Sequence, residues 1–447
     1  YVASVLTTID PGTGNQKQSK VEQTLDKYGN VTLRKLYDFG NLTTPARTYT
    51  NIYATTKPRN KLLEATVTNG AQTLNLVTNV FDDYSGANSL VHRSGLRNLV
   101  APLGGDAERG NITSSTAGGV TTTFRYDVTG MVVTATRGTS SVGVDPANNN
   151  VVPGAITPNS NTNLRETMTY NQFLGLTQDT APNNAITAVQ YDNAARPTQV
   201  TSPHGAITTF AYTNSPGTQT ATTNGRWTKS TFDGLGRTIK SESGDAGGTK
   251  SIVDTEYAPC ACSPIGKMKR TSQPYAPGGT VYWKTYTYDG LGRTISVALP
   301  SGTGTSTYVY AGNTVTTTDP ADKWKKFTMD ALGNLTKVTE PNPAGGADWD
   351  TNYTYNAVNQ LTQTSMPRGA ATQTRTFNYN TNSQLTSAVN PENGTTSYTY
   401  NTDGTLYEVT DAKNQKTRHF YDAYLRMTAT KRYNSSGVEE TTQATNY

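Results

Sequence analysis

A chain of 447 residues would by length alone suggest about three domains, yet hydrophobic residues are 34% and charged residues 16%, below the about 45–50% and about 25% of ordinary globular chains. The formal charge of +5 is spread among acidic residues and forms no patch, which argues against a nucleic-acid-binding surface, and there is no apolar run of about 18 residues to cross a membrane as a helix. The 27 Tyr recur in phase with turn residues, which excludes disorder over most of the length because disordered segments are depleted of aromatics.

Residues 1–10 contain neither an initiator Met nor a basic region followed by an apolar core, so no secretion signal is read there. In the first third, Tyr37-Asp38-Phe39-Gly40-Asn41-Leu42 and Tyr126-Asp127-Val128-Thr129-Gly130 stand out as aromatic-Asp phrases, whereas residues 62–97 show none. Residues 140–163, rich in Asn, Pro and Gly, are expected to form a long surface loop. From Tyr170 the phrase becomes periodic, with Tyr170, Tyr191 and Tyr212 spaced 21 apart. Phe-Asp-Gly-Leu-Gly-Arg-Thr-Ile from Phe232 is restated from Tyr288 with only its first residue changed. Between the two, residues 241–250 are expected as a second long loop and residues 251–285 as an irregular insertion carrying the chain's two cysteines, Cys260 and Cys262. Beyond it the first residues of successive copies are Tyr310, Met329, Tyr355, Tyr379, Tyr400 and Tyr421, at steps of 19 to 26.

Such self-similarity sets the fold before any other signal. Tyr286 and Tyr288 lie two apart, so in a strand they share one face while Thr285 and Thr287 share the other. The same aromatic pairing occurs at Phe124/Tyr126, Phe210/Tyr212, Tyr308/Tyr310, Tyr353/Tyr355, Phe377/Tyr379 and Tyr398/Tyr400. Four positions after the lead aromatic stands Gly130, Gly236, Gly292, Gly333 or Gly404, where a hairpin turn needs positive φ. Asn359 suits that slot, while Leu425 and Ala195 fit it poorly and predict turns of a different build. The returning strand brings Leu335, Leu361, Leu385 and Leu406 among Thr and Ser. No stretch shows sustained helical periodicity, so the expected fold is all-β: tandem β-hairpins in one continuous sheet. The chain then divides into degenerate repeats with long loops (1–169), regular repeats (170–250), the irregular insertion (251–285) and regular repeats (286–447). Both ends, Tyr1 and Tyr447, read as cuts inside the array, which predicts a longer parent polypeptide.

Residue types that carry chemistry are sparse. Cys260-Ala261-Cys262 is open to three readings: a loop element, a redox-labile disulfide, or half of a metal site with no His nearby to complete it. In an extended segment the two Cα atoms would lie near the upper end of the disulfide range. His92, His204 and His419 are far apart; His204 reads as a turn residue and His419 as an occupant of the aromatic-pair position. Asp192, Asp233, Asp289, Asp330 and Asp422 follow the lead residue, where a carboxylate bonds its own turn; one carboxylate per repeat is too few for a calcium loop. Lys323-Trp324-Lys325-Lys326 reads as a solvated strand edge. No catalytic, cofactor-binding or metal-ligating residues are assigned, no cofactor is expected, and the chain is expected not to be an enzyme.

Tyr-Asp, two residues, Gly-Arg and a Leu/Thr strand at about 21-residue spacing resemble the YD repeat of RHS-repeat proteins, strongly over residues 170–433 and weakly before. The resemblance implies a β-sheet ribbon coiled into a hollow shell, as in bacterial RHS toxins, the shell-forming components of insecticidal toxin complexes and teneurins. It also implies tyrosines stacked from repeat to repeat, each cross-strand aromatic pair adding about 0.2–1 kcal/mol. RHS toxins close with a core motif containing Asp-Pro and Gly-Leu; the Asp-Pro pairs here, Asp10-Pro11, Asp145-Pro146 and Asp319-Pro320, are not followed by Gly-Leu, so no protease residues are carried over. The expectation is a secreted or cell-surface structural section that encapsulates or presents an enclosed or C-terminal effector polypeptide. The alternatives are an adhesion module for cell-surface glycans or proteins, and a filament built of like chains.

Overall fold

The computed structural model describes residues 1–56, 59–70, 72–92, 109–147 and 151–446. Among them are 36 strands and four single-turn helical segments. The strands form one open sheet, and consecutive strands pair antiparallel, as in Trp283–Tyr288 with Thr294–Ala298 and then Thr305–Ala311. The expectation of an all-β hairpin array in one sheet is met. Alternation is clearest in Gly394–Tyr400, where Tyr398 and Tyr400 are half-buried while Thr395 and Thr399 are exposed. The threonine face is laced by cross-strand hydroxyl bonds, among them Thr208 to Thr223 (2.6 Å), Thr213 to Thr218 (2.7 Å) and Thr287 to Ser296 (2.6 Å).

Contacts group the chain into two compact units. The first comprises residues 1–165, 311–314 and 327–447, the second residues 166–310 and 315–326. Within the first, two lengths of chain lie side by side and meet in sequence order. Asp10 Oδ2 accepts from the Gly312 N–H (2.6 Å), Asp38 Oδ1 from the Ala331 N–H (2.8 Å), and the buried Arg47 guanidinium donates to the Asn356 carbonyl and to Asn359 Oδ1 (3.1 Å). Further on, Arg137 Nη2 donates to the Asp403 carbonyl (3.0 Å) and Asn159 Nδ2 to the Ala423 carbonyl (2.8 Å). At Gly119, which adopts a positive φ of 73°, the approach is so close that a Cβ would stand 2.2 Å from the Asn382 side chain and displace it. The one apolar cluster of buried residues among those described sits on this seam: Val67, Leu74 and Ala357, with Tyr49, Leu76 and Val358 packed against it.

Three expectations are corrected. Residues 140–163 contain the paired strands Ser140–Ala147 and Val152–Pro158. Their Val residues alternate in strand fashion, and the two prolines, Pro146 and Pro153, face each other at a register shift, where missing N–H groups interrupt the ladder least; residues 148–150 lie outside the described residues. Residues 241–250 belong to Thr238–Asp245 and Gly248–Cys260, joined by a two-residue turn in which Asp245 pairs with Gly248. The supposed insertion at 251–285 is largely the longest hairpin of the array: Gly248–Cys260 pairs with Ser263–Ser272, bulges absorb the irregular spacing at Glu256/Tyr257 and Ala258/Cys260, and the ladder resumes at Trp283–Tyr288.

Candidate functional site

The repeated chemistry is concentrated in the turn that follows each lead aromatic. In the copy at Phe232, the Asp233 N–H donates to the Arg237 carbonyl (2.9 Å) and the Gly236 N–H to the Asp233 carbonyl (3.0 Å). Asp233 Oδ1 accepts from the N–H groups of Leu235 and Arg237 (2.9 Å each), and Oδ2 accepts from Arg237 Nε (2.7 Å). Asp289 with Arg293, Asp192 with Arg196 and Asp422 with Arg426 repeat this, and Asp330 does so with Asn334 in place of Arg (2.8 Å). The backbone N–H of Arg237, followed by its side chain, holds the Asp233 carboxyl below the usual carboxylate range against the opposing effect of burial. These carboxylates are spent on their own turns. No group of three or more His, Cys, Asp or Glu capable of holding a metal occurs among the described residues.

From the turn the network passes to the next repeat. The guanidinium of Arg196 lies 4.5 Å from the Tyr212 ring, that of Arg237 4.2 Å from Tyr257 and that of Arg293 4.3 Å from Tyr310. The lead tyrosine hydroxyl then donates backwards to the first residue of the preceding returning strand: Tyr355 to Leu335 O (2.8 Å), Tyr379 to Leu361 O (3.0 Å), Tyr400 to Leu385 O and Tyr421 to Leu406 O (2.9 Å each). Burial pushes the Tyr379, Tyr400 and Tyr421 phenols above their usual range. At Tyr212, Tyr257 and Tyr310 a guanidinium thus lies where a stacked ring was expected. A ring pair does occur at Phe173 and Tyr191, 5.2 Å apart and edge-on. At Arg196, Arg237 and Arg293 the reason is geometric: the guanidinium, held by its turn's Asp, occupies the space over the following Tyr, whereas Arg426 lies over Tyr424 of its own turn.

Leu425 and Ala195 do not build different turns. Both adopt positive φ, 60° and 61°, with the same two backbone bonds, Leu425 N to Asp422 O and Ala195 N to Asp192 O at 3.0 Å each; the Asp/Arg side-chain network outweighs the local cost. In the first third, Tyr37-Asp38 is not the repeat turn it resembles, since Asp38 Oδ1 caps Phe39 N and reaches Ala331 N. Tyr126-Asp127 does build that turn, Asp127 Oδ1 accepting from the Thr129 and Met131 N–H groups (2.9 and 3.1 Å), and a further counterpart is Asp26 with Asn30, the Asp26 Oδ1 accepting from the Tyr28 and Asn30 N–H groups (2.8 and 3.0 Å). The signal was present in Asp26-Lys27-Tyr28-Gly29-Asn30, hidden because Leu25 replaces the lead aromatic.

Cys260 and Cys262 are joined in a disulfide at the tip of the long hairpin. Their Cα atoms are 5.1 Å apart instead of near the upper limit, because the chain turns there. Arg237 Nη1 donates to the Ile265 carbonyl (2.7 Å) and Lys267 Nζ to the Gly292 carbonyl (2.6 Å), so this tip is tied to the turns of both full repeat copies. His204 stands exposed in the turn closed by Ser202 and Ala206, and the half-buried His419 lies 3.3 Å from the Thr430 hydroxyl. The structure brings neither together with a nucleophile or a carboxylate pair. Lys325 and Lys326 are exposed on the strand Trp324–Met329.

No protein-family model matches the sequence, and no curated protein matches it. No helix among the described residues is long and apolar enough to cross a membrane. Solved structures similar in fold include the following three. TcdB2-TccC3 matches with a TM-score of 0.74 at 11% identity over 98% of this chain and 31% of its own. TcdB2-TccC3 without its hypervariable C-terminal region gives 0.73 at 10%, over 98% and 33%, and TcdB2-TccC3-Cdc42 gives 0.61 at 11%, over 97% and 31%. The chain therefore spans about a third of the solved chains whose fold it shares.

Proposed function

We propose that this chain is a non-enzymatic section of a YD-repeat shell, of the RHS type, whose parent protein encloses or presents an effector polypeptide outside the cytoplasm. The observation that carries this is the fold likeness to TcdB2-TccC3 across 98% of the chain, coincident with turn chemistry of the YD type in every full repeat copy. The repeat Asp side chains are spent within their own turns, and the guanidinium groups of Arg196, Arg237 and Arg293 reach over an aromatic ring further along the array, which is the economy of a wall. The disulfide between Cys260 and Cys262 suits an oxidising compartment. Limited proteolysis of the intact parent protein tests the proposal: an effector segment that survives protease until the repeats are unfolded supports it, and one digested at the rate of a free polypeptide while the repeats remain intact overturns it.

A further inference from the structure

At one end of the second unit three turns meet around the disulfide. Cys260 and Cys262 sit at the tip of the hairpin Gly248–Cys260 and Ser263–Ser272, where Cys260 pairs with Ser263. The bonds from Arg237 to the Ile265 carbonyl and from Lys267 to the Gly292 carbonyl bring the turns 233–237 and 289–293 against this tip. The disulfide encloses a single residue, at a position the ladder already holds. Cross-links stabilise a fold by closing long loops, so this bond adds little to the hairpin, and what it offers is its chemistry. The two half-buried cysteines have unlike surroundings. Cys260 Sγ lies 4.0 Å from the Ser263 carbonyl oxygen. A Cβ on Gly292 would stand 3.2 Å from Lys267 Nζ and 3.4 Å from Cys262 Cβ, so the ammonium and Cys262 flank one point. The Asp289 carboxylate of that turn is taken up by Arg293 (2.6 Å). On the three joined tips stand Leu235, Ile265 and Leu291, 59%, 66% and 76% exposed.

We infer that this tip is a thiol–disulfide exchange site for an unfolded polypeptide carrying two cysteines between apolar side chains. Leu235, Ile265 and Leu291 hold the apolar residues of the segment, and the disulfide beside them meets its thiols. A substrate thiolate attacks Cys260 Sγ, forming a mixed disulfide and expelling Cys262 as the thiolate, which the Lys267 ammonium stabilises. The substrate's second thiolate then attacks its own sulfur in that mixed disulfide, forming the substrate disulfide and expelling Cys260. Two electrons pass from the substrate dithiol to the protein, and the two protons the substrate gives up end on Cys260 and Cys262, so no other oxidant is needed. This rests on the hairpin tip alone and is independent of the shell reading.

The test incubates the full chain, without oxygen, with an unstructured peptide whose two cysteines are flanked by leucines, or with its counterpart flanked by serines. Alkylation followed by mass spectrometry reads the thiols of both partners. Peptide disulfide is expected to appear in step with alkylated Cys260 and Cys262, about threefold or more faster for the leucine peptide. Leu235→Ser combined with Leu291→Ser, both exposed, is expected to remove that preference. Lys267→Met is expected to slow the exchange about threefold and Lys267→Arg to restore it, with circular dichroism confirming the fold of each. A disulfide of the unaltered chain that stays intact against an excess of the leucine peptide, equal rates for the two peptides, or an unchanged rate in a folded Lys267→Met protein overturns the inference.

Discussion

Ala195 holds a left-handed conformation (φ 61°) on an exposed turn where other repeats place glycine. Ala195→Gly is expected to raise stability by about 0.5–1 kcal/mol, the relieved strain exceeding glycine's greater unfolded freedom. Gly236→Ala, with no atom within 4 Å of the added Cβ and φ of 75°, is expected to lower it by about 1 kcal/mol. Denaturant unfolding of both variants checks the pair, and opposite signs are required. A second residue-scale expectation concerns Glu166, where the neighbouring Asp179 carboxylate, followed by burial, holds the Glu166 carboxyl above its usual range. An acid whose folded value is raised favours the folded state only while protonated, so this stability is full below about pH 4 and is lost as pH rises through the folded value. Glu166→Gln is therefore expected to stabilise the protein near neutrality by about 0.2–1 kcal/mol and to have little effect in acid. Thermal unfolding at both pH values measures the difference.

At the scale of the hairpin, the sequence disclosed what repeats locally and concealed what contacts remotely. Asp and Gly at fixed offsets announced the turns, because Asx bonding and positive φ are short-range demands. The backward bond from each Tyr hydroxyl was not legible, since it joins residues 15 to 20 apart, as Tyr400 to Leu385 and Tyr355 to Leu335 do. Tyr400→Phe is expected to cost about 0.5–1.5 kcal/mol by leaving the Leu385 carbonyl without its donor, measurable in the same denaturant assay. Composition misled at residues 140–163, rich in Asn, Pro and Gly, and at 241–250, rich in Gly and Ser: both suggested loops, but alternation in the first and a two-residue turn in the second made strands. The apolar cluster likewise centres on Val67 and Leu74, in a stretch with no repeat phrase, because those side chains, partners within one hairpin, also pack on Ala357 far along the chain. Arg47→Ala, which removes the donor to Asn356 and Asn359, is expected to cost about 1.5–3 kcal/mol. Hydrogen exchange should show the loosening in the first compact unit, on both lengths of chain.

Over the whole chain, the small share of hydrophobic residues is explained by how the repeats are stabilised. A ribbon two strands per copy, with one face of threonine hydroxyls and the other of tyrosines and guanidinium groups, has no thick interior to fill. It relies on hydrogen bonds within turns and between neighbours, each net contribution being about 0.5–1.5 kcal/mol, and on many near-identical interfaces in series. Electron cryomicroscopy of the intact parent protein tests the central proposal most directly. The account predicts a closed hollow body whose wall contains these 36 strands, with density for another polypeptide inside; an open ribbon, or an end-to-end fibre with nothing enclosed, would contradict it.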